Sequence, residues 1–359
     1  MSLLIPLNPR IKERKRERLL IVQPLVGIGD MVWHKPWIDH LSDHYDVILA
    51  TKPTVQARHL FAGNENIVDI LLIERSLRGR KGRHDGALGM LRLIADFKAS
   101  GADKLLVLHH SARYGLIGRL AGLTERWGYG MGAAARWLNA GAFLPKSARK
   151  IHPTKKMVDF AMMNGFHPTE PRWQMQTTNQ AHQGATAFLT AHGVAASDDL
   201  SPLVMLGVGA MHVDRQWPPV HFARLIDMMR AAYPSIRLGI MGAPSEKPLL
   251  DAVCDALDDS DDILICDNPL DVAISLLARS VVYVGNDTSL LNIAAACGRP
   301  SIGVFAQSTP LDYNPHIKAV CVPDGRFNVP GHIATITPDL VFDAVCNELQ
   351  KCGYEPRTK

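Results

Sequence analysis

Short apolar runs and longer amphipathic stretches take turns along this chain. Leu19 to Gln23, Tyr45 to Ala50, Ile67 to Ile73, Lys104 to Leu108 and Arg126 to Gly130 read as strands. Between them Thr54 to Ala62, Leu88 to Ser100 and Tyr114 to Ala121 read as helices, and Pro36 suits the first turn of a helix running to about Ser42. The alternation predicts a parallel sheet with helices on both faces. From Ala133 to Gln180 the pattern weakens around one clear helix, Thr154 to Asn164. The polar, non-periodic PRWQMQTTNQ then predicts an interdomain connection near Glu170 to Gln180. A second series follows. Its strands are Leu203 to Val208, Arg237 to Met241, Ile263 to Cys266, Val281 to Val284 and Ser301 to Phe305. Its helices are Thr186 to His192, His221 to Tyr233, Pro248 to Leu257, Asp271 to Arg279, Leu290 to Cys297 and Pro338 to Lys351. The predicted architecture is α/β. Two doubly wound, Rossmann-like domains, 1–175 and 176–359, face each other across a cleft, and the last helix (338–351) is available to pack back on the first.

One unit of the second series carries a specific chemical signal. In VVYVGNDTSLLNIAAACGRPSIGVF, Gly285 opens a turn and Asn286, Asp287, Thr288 and Ser289 are four good N-cap residues in a row. Gly298 and Pro300 end the helix that follows. The turn lies at the C-terminal end of its strand, where open α/β sheets bind ligands. The helix N-terminus favours an anion there, typically a phosphate. The pattern alone equally describes an ordinary, well-capped βαβ unit.

Composition narrows the class. A chain of 359 residues exceeds one ordinary core. Its 47% apolar and 21% charged content describes a soluble globular protein. No apolar run approaches the roughly 20 residues of a membrane span. MSLLIPLNPRIKERKRERLLIV has charges where the apolar core of a signal peptide belongs. The six cysteines fall in the last third without a CxxC pair. They predict reduced thiols of a cytosolic protein, mostly packed in the core, rather than a zinc site. The net charge of +4 is unevenly placed. Arg10, Lys12, Arg14, Lys15, Arg16 and Arg18 face only Glu13 and Glu17, while Arg75, Arg78, Arg80, Lys81 and Arg83 follow Glu74. Such clusters suit phosphates, acidic sugars or an anionic lipid surface, and the N-terminal run also reads as a solvated face. Nucleic acid is the least favoured partner, because no binding motif or aromatic interleaving accompanies the charge.

Five segments occur in fixed order: GIGDMVWHKPWIDHL at 27–41, HHSARYGLIGRLAGLTERWGYG at 109–130, RQWPPVHFARLI at 215–226, MGAPSEK at 241–247 and NDTSLLNIAAACGRPSIGVFAQSTP at 286–310. Singly they are weak. Together they make the chain, roughly Leu19 to Leu349, resemble the family 9 glycosyltransferases, the bacterial lipopolysaccharide heptosyltransferases. The resemblance implies a GT-B fold with an acceptor-binding N-terminal domain and a nucleotide-sugar-binding C-terminal domain. It implies an inverting transfer of heptose from ADP-heptose to an anionic glycolipid, the lipopolysaccharide inner core, with no metal and no cofactor. The place implied is the cytoplasm or the inner face of the cytoplasmic membrane. Two other functions stay open: a GT-B transferase using another nucleotide sugar, and a non-catalytic sugar-nucleotide or glycolipid binding protein.

The resemblance assigns roles residue by residue. Asp30 matches the family's proposed general base, and inversion needs a base to take the acceptor proton. As a residue alone it also reads as a helix cap. Gly27 and Gly29 of the same turn fall on the acceptor side. Asp287, Thr288, Ser289 and Leu290 match the family's D-T-G-L diphosphate turn. Arg215 matches the Lys of a K-x-W-P motif, and a guanidinium there grips phosphate in two places. It also reads as a surface ion-pair partner beside Trp217. Glu246, following Gly242, suits ribose hydroxyls or a helix's first turn, and Asn268 falls near the base. Ser289 and Asn292 stand where the family has Gly and His. The first adds a Cβ and the second lacks a charge, which implies a different donor or a different way of binding it. Arg78, Arg80, Lys81 and Arg83, with Arg113, suit the acceptor's carboxylates and phosphates. Gly79 and Gly82 predict a loop mobile until acceptor binds. His109 and His110 read as structural or cleft-lining residues.

Overall fold

The computed structural model of the chain describes residues 4–6, 16–75, 81–166, 175–194, 202–310 and 313–357. The chain divides into two compact units, Met1–Arg172 and Trp173–Lys359. The first contains β1 (Leu4–Pro6), β2 (Arg18–Gln23), α1 (Ile28–Ser42), β3 (Asp46–Thr51), α2 (Ala57–Leu60) and β4 (Ile67–Leu72). It continues through α3 (Gly86–Ala99), β5 (Lys104–Val107), α4 (Ala112–Leu120), β6 (Glu125–Gly128) and α5 (Pro153–Met163). The strand order is β1-β4-β3-β2-β5-β6. The pairs from β4 to β6 are parallel, and β1 adds antiparallel to the β4 edge. Strand residues alternate between faces. Leu20, Val22, Ile48 and Ala50 pack with Leu93, Phe97, Tyr114 and Ile117 from α3 and α4. On the helical layer opposite, α1 packs against α5.

Three expectations for this unit need correction. β1 was not anticipated, because three residues are too short to show a period. Thr54 to Ala62 is not one helix. It is a 3₁₀ turn, Pro53–Val55, and the four-residue α2, divided by Gln56 in the left-handed region at φ 53°. α1 begins at Ile28, so Pro36 lies inside the helix rather than in its first turn. A mid-helix proline forfeits a backbone hydrogen bond. Burial of Met31, Trp37, Ile38 and Leu41 favours the helix running through it. Two residues of the basic N-terminal run have structural work. Arg16 donates to the carbonyls of Ser42 and Asp43 (3.3 and 2.9 Å), and Arg18 to that of Ser100 (3.3 Å). Cations at helix C-termini are favourable. Arg10, Lys12, Arg14 and Lys15 lie outside the described residues.

The second unit contains α6 (Asn179–Ala191), β7 (Leu203–Gly207), α7 (Pro219–Ala232), β8 (Arg237–Met241), α8 (Lys247–Cys254) and β9 (Leu264–Cys266). It ends with α9 (Leu270–Arg279), β10 (Val282–Asn286), α10 (Ser289–Ala296), β11 (Ser301–Phe305), β12 (Ile317–Cys321) and α11 (Pro338–Lys351). Its strand order is β12-β11-β10-β7-β8-β9, parallel throughout. β12 was not predicted, although Ala319 to Val322 is a short apolar run; it is a partly exposed edge strand. α6 starts inside the predicted connection, where the Thr178 hydroxyl caps it. Val341, Val345 and Leu349 of α11 are buried in this unit's own core. Of the six cysteines Cys266 is buried, Cys254 and Cys346 are partly buried against the core, and Cys352 is exposed. Among the described residues no helix is long and apolar enough to cross a membrane.

One register line of this sheet is occupied by glycine on three adjacent strands: Gly207, Gly285 and Gly303 of β7, β10 and β11. A Cβ at Gly207 or Gly285 would collide with the Tyr283 hydroxyl, and one at Gly303 with Phe305 and Leu291. One residue further along β10, Asn286 is fully buried. Its amide donates to the carbonyls of Val208 (2.9 Å) and Gly209 (3.2 Å), and its carbonyl accepts the Trp217 backbone N–H (2.9 Å). The buried Trp217 indole N–H in turn donates to the Ile336 carbonyl (2.8 Å). Asn286→Ala strips partners from backbone groups that water does not reach. We expect it to lower stability by about 2–4 kcal/mol, measured by urea denaturation of the full chain.

Candidate functional site

The C-terminal edges of the two sheets carry the polar side chains, and each edge is built locally. In the first unit, β2 gives way to residues 24–27 and α1 begins at once. Asp30 is its third residue, and its Oδ2 accepts the Gly27 N–H at 3.2 Å. The carboxylate comes so close that a Cβ at Gly27 would stand 2.7 Å from it. Asp30 therefore does cap the helix. Burial raises its pKa above the ordinary value, and the Gly27 N–H offsets this in part. A raised pKa makes a carboxylate a stronger base.

Around Asp30 lie imidazoles, and only two of them were singled out in the sequence. His34, one helical turn on and buried, has Nδ1 2.6 Å from the Asp30 carbonyl. A carbonyl only accepts, so Nδ1 carries the proton. His109 stacks on His110 at 4.2 Å between centroids, and His152 meets Trp33 edge-on at 4.4 Å. Lys156 Nζ donates to the Arg149 carbonyl at 3.0 Å. Burial pushes His34, His109 and His152 down to about 4, and the charge of Lys156 adds to the effect in each. Burial also lowers Lys156 itself. His34 bonds to a backbone carbonyl, which no side-chain pattern reports, so the sequence signalled only the His109–His110 pair.

The basic loop is anchored at its described end. His84 is fully buried, accepts the Glu74 N–H on Nδ1 (3.0 Å) and donates from Nε2 to Asp96 (3.0 Å). Its own N–H returns to the Glu74 carbonyl (2.8 Å). Gly82 belongs to this anchored end. Its N–H donates to Asp85 (2.7 Å), and it packs directly on the Glu74 carbonyl, where a Cβ would collide. Arg83 is 3.3 Å from Asp96, Lys81 is exposed, and Arg113 lies half-buried in the first turn of α4. Arg78, Gly79 and Arg80 lie outside the described residues.

In the second unit, neighbouring strands β8, β7 and β10 bring their candidates to one edge. Arg215, at the end of a 3₁₀ turn after β7, has Nη1 3.6 Å from Asp287 Oδ2. The same oxygen accepts the Ser308 hydroxyl at 2.6 Å. Thr288 is the N-cap of α10, yet its hydroxyl makes no capping bond, and Ser289 and Leu290 form the half-buried first turn. Asn292 is buried, and its amide turns inward to the Thr288 carbonyl (2.8 Å). Glu246 follows buried Gly242 after β8 and closes a 3₁₀ turn by accepting the Ala243 N–H (2.8 Å). It lies over Gly209, whose lack of a Cβ makes room for the carboxylate. Asn268 follows β9 with a buried carbonyl oxygen that has no hydrogen-bond partner among the described residues. A guanidinium, a helix N-terminus and a hydroxyl can hold a diphosphate, and a carboxylate beside them can accept sugar hydroxyls. Among the described residues no group of three or more His, Cys, Asp or Glu side chains could hold a metal ion.

The histidines set an acid limit on the first unit. In the unfolded chain they take up protons near 6.5, and in the folded chain only near 4. Stability therefore rises with pH across that window and is lost as pH falls through it. Melting temperatures in buffers from pH 7 to 4 should drop through this interval, and His109→Gln should flatten part of the fall.

A sequence model described as glycosyltransferase family 9 (heptosyltransferase) matches residues 90–323. Lipooligosaccharide heptosyltransferase 2 of Haemophilus influenzae is 29% identical over 106 residues, which are 28% of this chain and 30% of that protein. The chain thus matches under a third of the length of this curated relative. Among solved structures, a glycosyl transferase family 9 protein from Veillonella parvula superposes with a TM-score of 0.75 at 17% identity, covering 98% of this chain and 100% of that one. The Escherichia coli ADP-heptose lps heptosyltransferase II gives 0.70 at 17% identity, covering 94% and 100%. The E. coli heptosyltransferase WaaC with ADP-2-deoxy-2-fluoro heptose gives 0.64 at 18% identity, covering 93% and 99%. At these identities the likeness is one of fold, and it is the GT-B type that the sequence led us to expect.

Proposed function

The chain belongs to glycosyltransferase family 9, and we propose that it transfers heptose from ADP-heptose to the lipopolysaccharide inner core, with inversion and without a metal. The observation that carries this reading is the edge where the Arg215–Asp287 pair lies beside the start of α10. As the acceptor oxygen attacks the sugar's anomeric carbon, Asp30 takes its proton. The bond from that carbon to the diphosphate oxygen breaks, and its electron pair stays with the diphosphate. Arg215, Thr288 and the N–H groups of α10 hold that charge. Lys81, Arg83 and Arg113, with Arg78 and Arg80 of the same loop, take the acceptor's anionic groups. Leu88 and Leu91 stand exposed on α3 beside Arg92, which suits peripheral contact with an anionic membrane face.

Calorimetry with ADP, UDP, GDP and ADP-heptose tests the donor. ADP selectivity, tighter with the heptose attached, is expected. Preference for UDP or GDP overturns the donor assignment, and binding of none overturns the function. Asp30→Asn should lower turnover by about 10²–10⁴ and keep donor affinity. It should also raise the melting temperature at neutral pH, because it removes a charge that burial disfavours. The acid limb of kcat/KM should lie above the ordinary aspartate value of 3.8, since the base works only when ionised.

A further inference from the structure

From Met31 to Ile38 every residue of α1 is buried except Trp33. The helix is otherwise enclosed, so the opening is local, and it falls on an indole. Trp37, one turn on, shows the ordinary use of that side chain here and lies in the core. Trp33 stands half-buried, three residues after Asp30. That spacing makes the two side chains neighbours on the helix surface, at the end of α1 that meets the C-terminal edge of the sheet.

The indole is met from a second helix. His152 approaches it edge-on, with 4.4 Å between ring centroids and 65° between planes. His152 is the N-cap of α5. Its Nδ1 accepts the Thr154 N–H (3.4 Å) and lies 2.7 Å from the Thr154 hydroxyl. The cap fixes the imidazole, and the imidazole steadies the indole. Lys156, four residues beyond His152, brings a cation to the same face of α5. A carboxylate, a flat aromatic surface and an ammonium are thus gathered where α1 and α5 pack.

We propose that Trp33 is an acceptor-binding residue on which a sugar ring of the acceptor stacks, so that the attacking hydroxyl is presented to Asp30. The inference rests on reading Asp30 as the base of the transfer. One face of a pyranose ring carries C–H groups, which are apolar and weakly positive. The face of an indole is apolar and weakly negative. Stacking buries both without demanding a hydrogen bond, and the sugar's hydroxyls stay free around its rim. A base acts only on a hydroxyl within hydrogen-bond reach. A platform beside the base therefore decides which hydroxyl loses its proton, and it does so by orientation. Anionic substituents of the same saccharide have Lys156 at hand. A nucleobase would also stack on an indole, but its diphosphate would then approach a carboxylate. An acyl chain would gain nothing from a base and an ammonium beside it.

The test is acceptor kinetics and intrinsic fluorescence on the full chain, with ADP-heptose as donor and a deacylated lipopolysaccharide inner-core saccharide as acceptor. Trp33→Leu keeps an apolar side chain and removes the flat surface. It should raise the acceptor KM about tenfold, lower kcat less than that, and leave ADP affinity unchanged. Trp33→Phe should recover most of the loss. Titrating the saccharide into wild type should shift the tryptophan emission. The shift should persist in Asp30→Asn and vanish in Trp33→Phe. Unchanged acceptor KM in Trp33→Leu overturns the inference. So does a parallel loss of ADP affinity, which marks a structural role, and so does a Trp33→Phe variant no better than Trp33→Leu. If Trp33→Leu does not fold, Trp33→Phe decides alone, and a retained emission shift overturns the inference. A wild-type chain that transfers nothing to the saccharide overturns the proposed function and this inference together. Transfer by wild type with Trp33→Leu unaffected overturns this inference alone.

Discussion

The second unit hangs on one carboxamide. Asn286 ends the central strand β10, is fully buried, and joins the strand to the loop after β7 from both sides of its amide. Few side chains this short both donate and accept. Aspartate cannot donate, and leucine can do neither. With Asn286 in place, Trp217 is fixed and Arg215 two residues before it is held near Asp287, the next residue of the turn. The ion pair follows from the hydrogen bonds behind it. At 3.6 Å and partly exposed it would be a weak organiser by itself.

Much of this was legible in the residues. Parallel strands buried on both faces announce themselves as β-branched runs, so β2 to β11 fell close to their predicted places. Failures came where burial is incomplete or length too short: β1, β12 and the broken helix around Gln56. Pro36 misled for a different reason. Proline suits a first turn, but tertiary burial along α1 outweighed its preference. For the proposed site, short motifs point to Asp30, Arg215 and Thr288. What the motifs do not report is direction. Asn292 turns inward, Gly82 packs on the Glu74 carbonyl, and Tyr283 looks like any strand aromatic until the glycines beside it are seen across the sheet.

The environment of Asp30 sets a trade. His34, His109 and His152 are held neutral by burial near a cation that burial also weakens. A core free of these groups would be more stable in mild acid. Their uncharged state keeps the surroundings of Asp30 low in positive charge, and so does not undo the rise in its pKa.

The anchoring of the basic loop has an evolutionary consequence. Glu74 and His84 close the loop's base through a pair of hydrogen bonds, and His84 is itself fastened to α3 through Asp96. Gly82 and Arg83 belong to the same anchor, the one packed on the Glu74 carbonyl and the other paired with Asp96. Changes of length or charge between Arg75 and Lys81 would leave these hydrogen bonds in place, so under the proposed acceptor role preference could diverge while the scaffold stays the same. A graft placed between Arg75 and Lys81 would exchange charge without touching those posts.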